Sequence, residues 1–235
     1  MRTMLITGCS RGIGLALCEY FLNKFHIIAT ARSDNDLLML NEMGVDAFYL
    51  DAANDDSLNN FLLTIKNKYK SLDVLVNNIG MANVEHIENI DCNDLNTLMK
   101  VNFYSSVFTI SNLSGLLKLS NSGRVINISS VLSSMPQKGF SCYSSSKAAL
   151  EAFTKSAALE FAEYGITVNA IAPGFVNTDM LNVIDERKLS RMKKNIPLKR
   201  FCEPNEVAYL VDFLSSKESQ YITGEVININ GGLHF

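Results

Sequence analysis

The sequence has no tryptophan, only three histidines and only four prolines among 235 residues. Few prolines and 13 glycines exclude proline-rich linkers and collagen-like repeats. No CxxC pair or His–Cys cluster has the spacing of a zinc site, so no bound metal is expected. Reduced, buried thiols and a cytoplasmic location are the simplest interpretation of five scattered cysteines, namely Cys9, Cys18, Cys92, Cys142 and Cys202.

A large excess of charge of either sign is also missing. The chain has 21 Lys and Arg against 24 Asp and Glu, a net charge of −3, which argues against nucleic acid as a partner. Residues 1–8 are typical of a first strand rather than a signal peptide, and the charge-free stretch 101–117 has too many Ser, Asn and Thr to span a bilayer. We expect a globular protein with no membrane partner.

Short apolar runs alternate with longer amphipathic segments along the whole chain. Strands separated by helices indicate βαβ units, and therefore a parallel sheet with helices on both faces. The prediction is one α/β domain over residues 1–235, a doubly wound, Rossmann-type sheet of seven parallel strands. The strands are predicted at 3–7, 26–30, 47–50, 74–77, 124–128, 167–171 and 226–229, and helices at 13–24, 55–70, 91–119, 143–164 and 204–214.

Residues 174–200 fit neither pattern, because Lys, Arg, Met and Leu mix there without a clear period. Long connections in compact domains often cover a substrate. A substrate lid and a pair of surface helices both remain open for this segment.

A glycine-rich turn, TGCSRGIG at residues 7–14, follows the first strand and opens the first helix. Glycines in that position allow a tight turn and a close backbone approach to phosphate, and the helix N-terminus offers free N–H groups to a pyrophosphate. The spacing is GxxxGxG and not the GxGxxG of the standard dinucleotide fingerprint. An ordinary turn would explain the glycines equally well.

The same turn contains GCSRG at residues 8–12, which matches the G-x-S-x-G elbow of α/β-hydrolases. A hydrolase needs several strands before its elbow and a histidine in a motif after it. Only seven residues precede Gly8, and none of the histidines lies in a motif. The hydrolase interpretation is therefore disfavoured.

Two arginines bear on the choice of a dinucleotide. An acidic residue after the second strand would bind the 2′-hydroxyl of NAD, but Arg32 follows that strand and Arg11 lies in the turn. Guanidinium groups pair well with a 2′-phosphate, so NADP(H) is favoured and NAD(H) stays open, given Asp34 and Asp36 nearby. The alternative is that both arginines are simply solvated.

Tyr143 and Lys147 are four residues apart in a helical segment, so their side chains share one face. A tyrosine is a poor acid at neutral pH unless a cation stabilises its phenolate, and Lys147 can supply that charge. Ser129 and Ser130 follow the fifth strand, where ligands of open α/β sheets bind. Taken alone, a surface pair and a helix cap explain these residues as well.

Together these pieces resemble the short-chain dehydrogenase/reductase family in its single-domain form. The resemblance runs through almost the whole chain, and Ile79 stands where the family's NNAG motif has Ala. The matching pieces are TGxxxGxG at 7–14, NNIG at 77–80, Asn102, Ser130, Tyr143 with Lys147, Pro173-Gly174 with Thr178, TG at 223–224 and NGG at 230–232.

The resemblance implies a role for each matched residue. Tyr143 would exchange a proton with the carbonyl oxygen, and Lys147 would lower the pKa of Tyr143 and bind the nicotinamide ribose. Ser130 would orient the carbonyl, and Asn102 would hold a water that leads from Lys147 to solvent. The cofactor would be lined by Gly8, Ser10, Arg11, Gly12, Ile13, Gly14, Arg32, Asp51, Ala52, Asn78, Ile79, Gly80, Tyr143, Lys147, Pro173, Gly174, Val176 and Thr178.

Three of these residues also have simpler explanations. Asp51 follows the third strand and would cap a helix at 55–70, and Asn77 and Asn78 would be turn formers. Without the family resemblance these alternatives rank first.

The expected function is an NADP(H)-dependent reduction of a carbonyl to a secondary alcohol. Residues 221–232 and PGFVNTDM at 173–180 look most like 3-oxoacyl-[acyl-carrier-protein] reductases, whereas residues 81–86 lack the basic residue expected of that subgroup. The alternatives are a reductase of another small ketone, sugar or pathway intermediate, and a non-catalytic NADP-binding protein.

The resemblance also implies a homo-oligomer, a dimer or a tetramer. Its contacts would come from residues 91–119, 143–164 and 233–235. Four phenylalanines could lie on those faces or in the core, namely Phe103, Phe108, Phe153 and Phe161.

Overall fold

A computed structural model describes residues 1–135, 137–181 and 185–235, and its centre is one sheet of seven parallel strands. The strand order is β3-β2-β1-β4-β5-β6-β7, so winding reverses between β1 and β4, and the doubly wound prediction is confirmed. The strands are β1 (Thr3–Ile6), β2 (His26–Ala31), β3 (Asp46–Tyr49), β4 (Val74–Asn77), β5 (Arg124–Ile128), β6 (Thr167–Pro173) and β7 (Val226–Ile229).

Helices cover both faces of the sheet and build two cores. The helices are α1 (Gly12–Phe21), α2 (Asp34–Glu42), α3 (Asp55–Lys68), α4 (Cys92–Met99), α5 (Ser105–Lys118), α6 (Ser141–Phe161), α7 (Glu186–Asn195) and α8 (Pro204–Ser215). Phe21 of α1 and Val211 of α8 are buried on one face, and Phe61 of α3 and Leu113 of α5 on the other. Each such side chain contributes about 1.5–3 kcal/mol by leaving water.

The strands lie within two residues of their predicted ends, but two helix predictions need correction. The helix predicted at 91–119 is divided by one π-helical turn at Lys100–Tyr104, and α2 was not predicted at all. Its sequence is largely polar, and it begins because Ser33 Oγ accepts the N–H of Asp36 at 3.2 Å. Within the described part of the chain, no helix is long and apolar enough to cross a membrane.

The segment predicted as a lid or a helix pair contains one α-helix, α7, and a short 3₁₀ turn at Asp179–Leu181. Leu189 and Met192 of α7 pack on a small core formed by Leu181, Ile196 and Phe201. Residues 182–184 lie outside the described residues. A pair of α-helices is therefore wrong for the described part, and a lid stays a prediction.

The five cysteines are free thiols. Cys9 and Cys18 are buried, Cys142 and Cys202 are half-buried, and Cys92 is exposed. The expectation of buried thiols is therefore wrong for Cys92, which lies in the first turn of α4.

Candidate active site

The glycine-rich turn has a backbone that other residues would not adopt. Gly8 and Gly12 have φ of 73° and 58°, in the left-handed region. A Cβ on Gly14 would lie 2.0 Å from the carbonyl oxygen of Gly8. The three glycines thus let the turn fold back on the start of α1.

The start of α1 leaves backbone donors available for an anion. Arg11 occupies the N-cap position, and no side chain among the described residues caps the helix there. The N–H groups of a helix's first turn have no partner within the helix and carry the positive end of its dipole. A tight backbone with free donors fits a pyrophosphate. Ser10 is half-buried in this turn, and Ile13 packs on the core beneath it.

Side chains from neighbouring strands hold the turn in place. Thr30 Oγ1 accepts the N–H of Gly8 at 2.9 Å, and Asn78 Nδ2 donates to the carbonyls of Thr7 and Gly8 at 2.9 and 2.8 Å. Thr7 Oγ1 in turn accepts the N–H groups of Asn78 and Ile79. Asn78 is therefore a cross-link between β1 and β4 rather than a simple turn former. Sequence reasoning gives neither threonine this role: Thr7 is matched only as part of the glycine-rich motif, and Thr30 is signalled only as a polar residue near the end of a buried strand.

Ile79, the departure from the family motif, covers the turn. A Cβ on Gly8 would lie 3.0 Å from Ile79 Cγ1. The larger side chain of isoleucine thus fits here because Gly8, which it contacts, has no side chain.

The predicted phosphate-binding arginines are both exposed at the carboxyl edge of the sheet. Neither Arg11 nor Arg32 forms an ion pair with a carboxylate in the described part of the chain. The nearby carboxylate of Asp36 instead accepts a hydrogen bond from Ser33 Oγ at 2.6 Å. Both guanidinium groups therefore remain available to a phosphate.

Asp51 does not cap the following helix. Asn54 is the N-cap of α3, and its Oδ1 accepts the N–H of Ser57 at 2.9 Å. Asp51 Oδ1 accepts the N–H of Ala53 at 3.1 Å, and Ala52 between them is buried. The capping explanation for Asp51 is therefore wrong, and its contact with an adenine stays a prediction.

Lys147 lies in the second turn of α6 and is only 3 % exposed. Its Nζ donates to the carbonyl oxygen of Ile128 at 2.8 Å. Burial lowers the pKa of Lys147 to about 8, and the negative charge of Glu151 works in the opposite direction. The ammonium is therefore charged at neutral pH, although its pKa lies close to neutral pH.

Tyr143 lies one turn before Lys147 on α6, and its hydroxyl group lies near that of Ser130. Burial raises the pKa of Tyr143, and the neighbouring Ser130 hydroxyl lowers it by less. Ser130 is itself buried at the end of β5, where its Oγ accepts the N–H of Leu132 at 3.2 Å. Two hydroxyl groups thus lie together, and Tyr143 holds its proton at neutral pH.

Asn102 lies in the π-helical turn and is fully buried. Its side chain accepts the N–H of Met81 at 2.8 Å and donates to the carbonyl of Met81 and to Ser146 Oγ. A Cβ on Gly80 would lie 3.3 Å from Lys147 Nζ and 3.6 Å from Asn102 Oδ1. Asn102 thus anchors the segment after β4 beside Lys147, and its water-holding role stays a prediction.

The segment after β6 returns to the glycine-rich turn. Pro173 ends β6, and Gly174 packs so closely on β7 that an added Cβ would lie 2.9 Å from Asn230 Cα. Val176 pairs with Cys202 in an isolated bridge. Thr178 then approaches Gly12, where an added Cβ would lie 3.2 Å from the threonine methyl group.

A buried polar chain beneath the site was not predicted. Asn77 Nδ2 donates to Asn127 Oδ1 at 2.8 Å, and Asn127 Nδ2 donates to Thr154 Oγ1 at 2.9 Å. These bonds tie β4 to β5 and β5 to α6, so Asn77 is a cross-link and not a turn former. Asn77 is matched only as part of NNIG, and Asn127 and Thr154 give no signal in the sequence until the fold brings them together.

Comparison with known proteins identifies the family. The sequence model of a short-chain dehydrogenase group, described as enoyl-(acyl carrier protein) reductase, matches residues 8–234. The 3-oxoacyl-[acyl-carrier-protein] reductase FabG of Vibrio cholerae is 35% identical over 242 residues, with 99% of this chain and 97% of that protein covered. FabG of Aquifex aeolicus is also 35% identical, over 240 residues, with the same coverage.

One solved structure extends the likeness to the fold. The crystal structure of YwfH, an NADPH-dependent reductase involved in bacilysin biosynthesis, superposes with a TM-score of 0.92 at 28% identity, covering 99% of this chain and 98% of that one. The sequence relatives and this structure agree on nearly the whole length. The chain therefore belongs to the short-chain dehydrogenase/reductase family of oxidoreductases.

Proposed function

We propose that this oxidoreductase interconverts a carbonyl and a secondary alcohol with NADP(H), and that Tyr143 is its acid and base. The observation that carries the proposal is the meeting of Tyr143, Ser130 and Lys147 beside the glycine-rich turn. Lys147 Nζ approaches Gly80, and the neighbouring Ile79 covers Gly8. Ile79 and Gly80 therefore connect the glycine-rich turn to the side chains of α6.

The cofactor residues follow from the same geometry. The first N–H groups of α1 would hold the pyrophosphate, Lys147 the nicotinamide ribose, and Arg11 with Arg32 the 2′-phosphate. The NADPH dependence of YwfH supports the choice of NADP(H). When bound, the reduced cofactor supplies a hydride to the carbonyl carbon.

The residues of the chain manage the charge and the proton. Negative charge develops on the carbonyl oxygen during reduction, and the hydroxyl groups of Ser130 and Tyr143 stabilise it by hydrogen bonds. Tyr143 then gives its proton to that oxygen, and the nearby ammonium of Lys147 compensates the phenolate that remains. In the oxidative direction the phenolate takes the proton back.

For the substrate, we propose a 3-oxoacyl thioester carried by an acyl carrier protein, as in the FabG relatives. A free small ketone is the second candidate, because YwfH covers the chain equally well and acts in a different biosynthesis. The enoyl reductase description of the family model adds a third reaction to be tested.

The test compares the wild-type protein with Tyr143→Phe. The substrates are acetoacetyl thioesters on a carrier protein and on a small thiol, simple ketones and a crotonyl thioester, each with NADPH and with NADH. We expect oxidation of NADPH by the carrier-bound acetoacetyl thioester and a loss of about 1000-fold in kcat for Tyr143→Phe. Fluorescence titration should show unchanged NADPH binding by the variant.

Each other outcome has a distinct meaning. Turnover of free ketones alone would favour the second substrate class, and turnover of the crotonyl thioester alone would reject carbonyl reduction. Binding of NADPH without any turnover would identify a non-catalytic NADP-binding protein.

A further inference from the structure

Glu151 lies on α6 one turn after Lys147, outside every motif that defines the site. One oxygen of its carboxylate, Oε1, accepts a hydrogen bond from Ser129 Oγ at 2.6 Å. It also lies 2.5 Å from Ser133 Oγ, whose one hydrogen it shares with the carbonyl oxygen of Ser130 at 2.7 Å. These two serines stand on either side of Ser130. A single carboxylate oxygen thus holds both ends of the segment that carries Ser130.

That segment joins the end of the sheet to one short turn. The N–H of Ser129 makes the last sheet bond, to the carbonyl of Ile171 at 2.7 Å, and the chain then enters a 3₁₀ turn of three residues, Val131–Ser133. The turn closes on Ser130 itself, whose carbonyl oxygen accepts the N–H of Ser133 at 3.0 Å. Bonds to an ionised carboxylate are about twice as strong as neutral ones, so the position of Ser130 depends strongly on Glu151.

Glu151 also acts on Lys147 through its charge. The groups that face Lys147 are Tyr143 and Glu151 from α6, together with the uncharged Ile128 carbonyl, Gly80 and Asn102 from the elements packed against it. Glu151 is the carboxylate that favours the charged form of Lys147, and burial is the main effect opposed to it.

We propose that Glu151 is a positioning residue, whose carboxylate fixes the Ser130 segment against α6, one turn away from the buried ammonium of Lys147. Its kinetic consequences rest on the proposed function, because they concern the reduction that Ser130 and Lys147 support. Its electrostatic consequence can be measured without turnover.

The kinetic experiment uses Glu151→Gln with Glu160→Gln as the matched control, since Glu160 is an exposed carboxylate on the same helix. We expect kcat to fall by about 10- to 100-fold for Glu151→Gln, with KM for NADPH nearly unchanged, and no change for the control. Ser129 Oγ bonds to Glu151, so a Glu151→Ala, Ser129→Ala double variant should lose no more activity than Glu151→Ala alone. Losses that multiply independently would overturn the positioning role.

The second readout is the titration of Lys147 itself, followed by NMR in protein labelled with carbon-13 at the lysine Cε and assigned with Lys147→Arg. We expect the midpoint near pH 8 in the wild type to move down by about one unit in Glu151→Gln. The Ser129→Ala, Ser133→Ala variant keeps the carboxylate and should lose activity with less change in the titration. A Ser156→Ala variant, altered at an exposed serine of α6, controls for serine removal.

An unchanged midpoint in Glu151→Gln would overturn the electrostatic part of the inference. Failure of the proposed function would be recognised by a different result. The wild type itself would then turn over no substrate, while the Lys147 titration would still report on Glu151. Thermal unfolding of each variant separates loss of the folded state from both outcomes.

Discussion

Lys147 is charged at neutral pH, yet its side chain is almost completely buried. Burial moves its pKa from the usual value of 10.5 to about 8. That difference corresponds to about 3 kcal/mol of unfavourable free energy for keeping the ammonium inside the folded protein. A residue kept charged in the core for the proposed reaction is expected to lower stability.

The first prediction is that Lys147→Met is more stable than the wild type by up to about 3 kcal/mol at pH 7. The pKa is lower in the folded state, so the unfolded wild-type chain binds more protons between pH 8 and 10.5, and wild-type stability rises through that window. The advantage of the variant should therefore shrink as pH rises from 8 to 10.5. Urea unfolding at pH 7, 9 and 10.5 measures it, and a pH-independent difference would contradict burial of the ammonium as the cause.

The sequence could predict individual site residues only where their spacing places them together. Tyr143, Lys147 and Glu151 are four residues apart and lie on one face of α6. The same spacing could therefore have indicated Glu151. The partners of Glu151 could not be predicted. Ser129 and Ser133 reach it only because the end of β5 packs against α6.

At the scale of the element, glycines in two helices should respond oppositely to alanine. Gly14, in α1, leaves no room for a side chain, since the added Cβ would lie 2.0 Å from a backbone oxygen. Gly115, in the interior of α5, is exposed, and no atom lies within 4 Å of an added Cβ. We expect Gly14→Ala to abolish NADPH binding and destabilise the protein, and Gly115→Ala to stabilise it by about 0.5–1 kcal/mol.

Both glycine variants can be followed by thermal unfolding and by fluorescence titration with NADPH. Gly115→Ala also serves as the control for the substitution itself. Normal NADPH affinity in Gly14→Ala would show that the turn tolerates a side chain and would reject the close approach seen between Gly14 and Gly8.

The interruption between α4 and α5 shows what the periodicity of apolar residues in a sequence does not determine. The sequence predicts one helix over 91–119, and the actual chain inserts a π-helical turn that carries Asn102. The buried amide of Asn102 bonds both backbone groups of Met81, which belongs to a different segment. The interruption therefore satisfies a tertiary contact that local propensity does not encode.

At the scale of the whole molecule, the predicted homo-oligomer has apolar side chains exposed on the elements named for it. Phe108 of α5 is 52% exposed, Leu159 of α6 is 82% exposed and Phe235 is 98% exposed, whereas Phe161 is buried in the core. Single exposed apolar residues are common on any protein surface, so their positions are better evidence for a contact than their number. All three of these exposed residues fall on the predicted contact segments.

We predict that the wild type is a dimer or tetramer of 26.0 kDa chains and that Phe108→Glu lowers the mass measured by light scattering. A charge placed in an apolar contact would lose its hydration without a partner. Leu38→Glu, at an equally exposed apolar site on α2, should leave the mass unchanged. A monomeric wild type would reject the prediction.

The sequence by itself determined the parallel sheet and the glycine-rich turn after its first strand, because strand period and short motifs are local properties. Its resemblance to the family predicted the Ser130, Tyr143 and Lys147 set. Only the tertiary structure decided which polar groups lock that set in place. Asn78 across the turn, Asn102 on Met81 and Glu151 on Ser129 are contacts between distant segments. Buried polar groups must find partners wherever the fold brings them, and no local pattern encodes that choice.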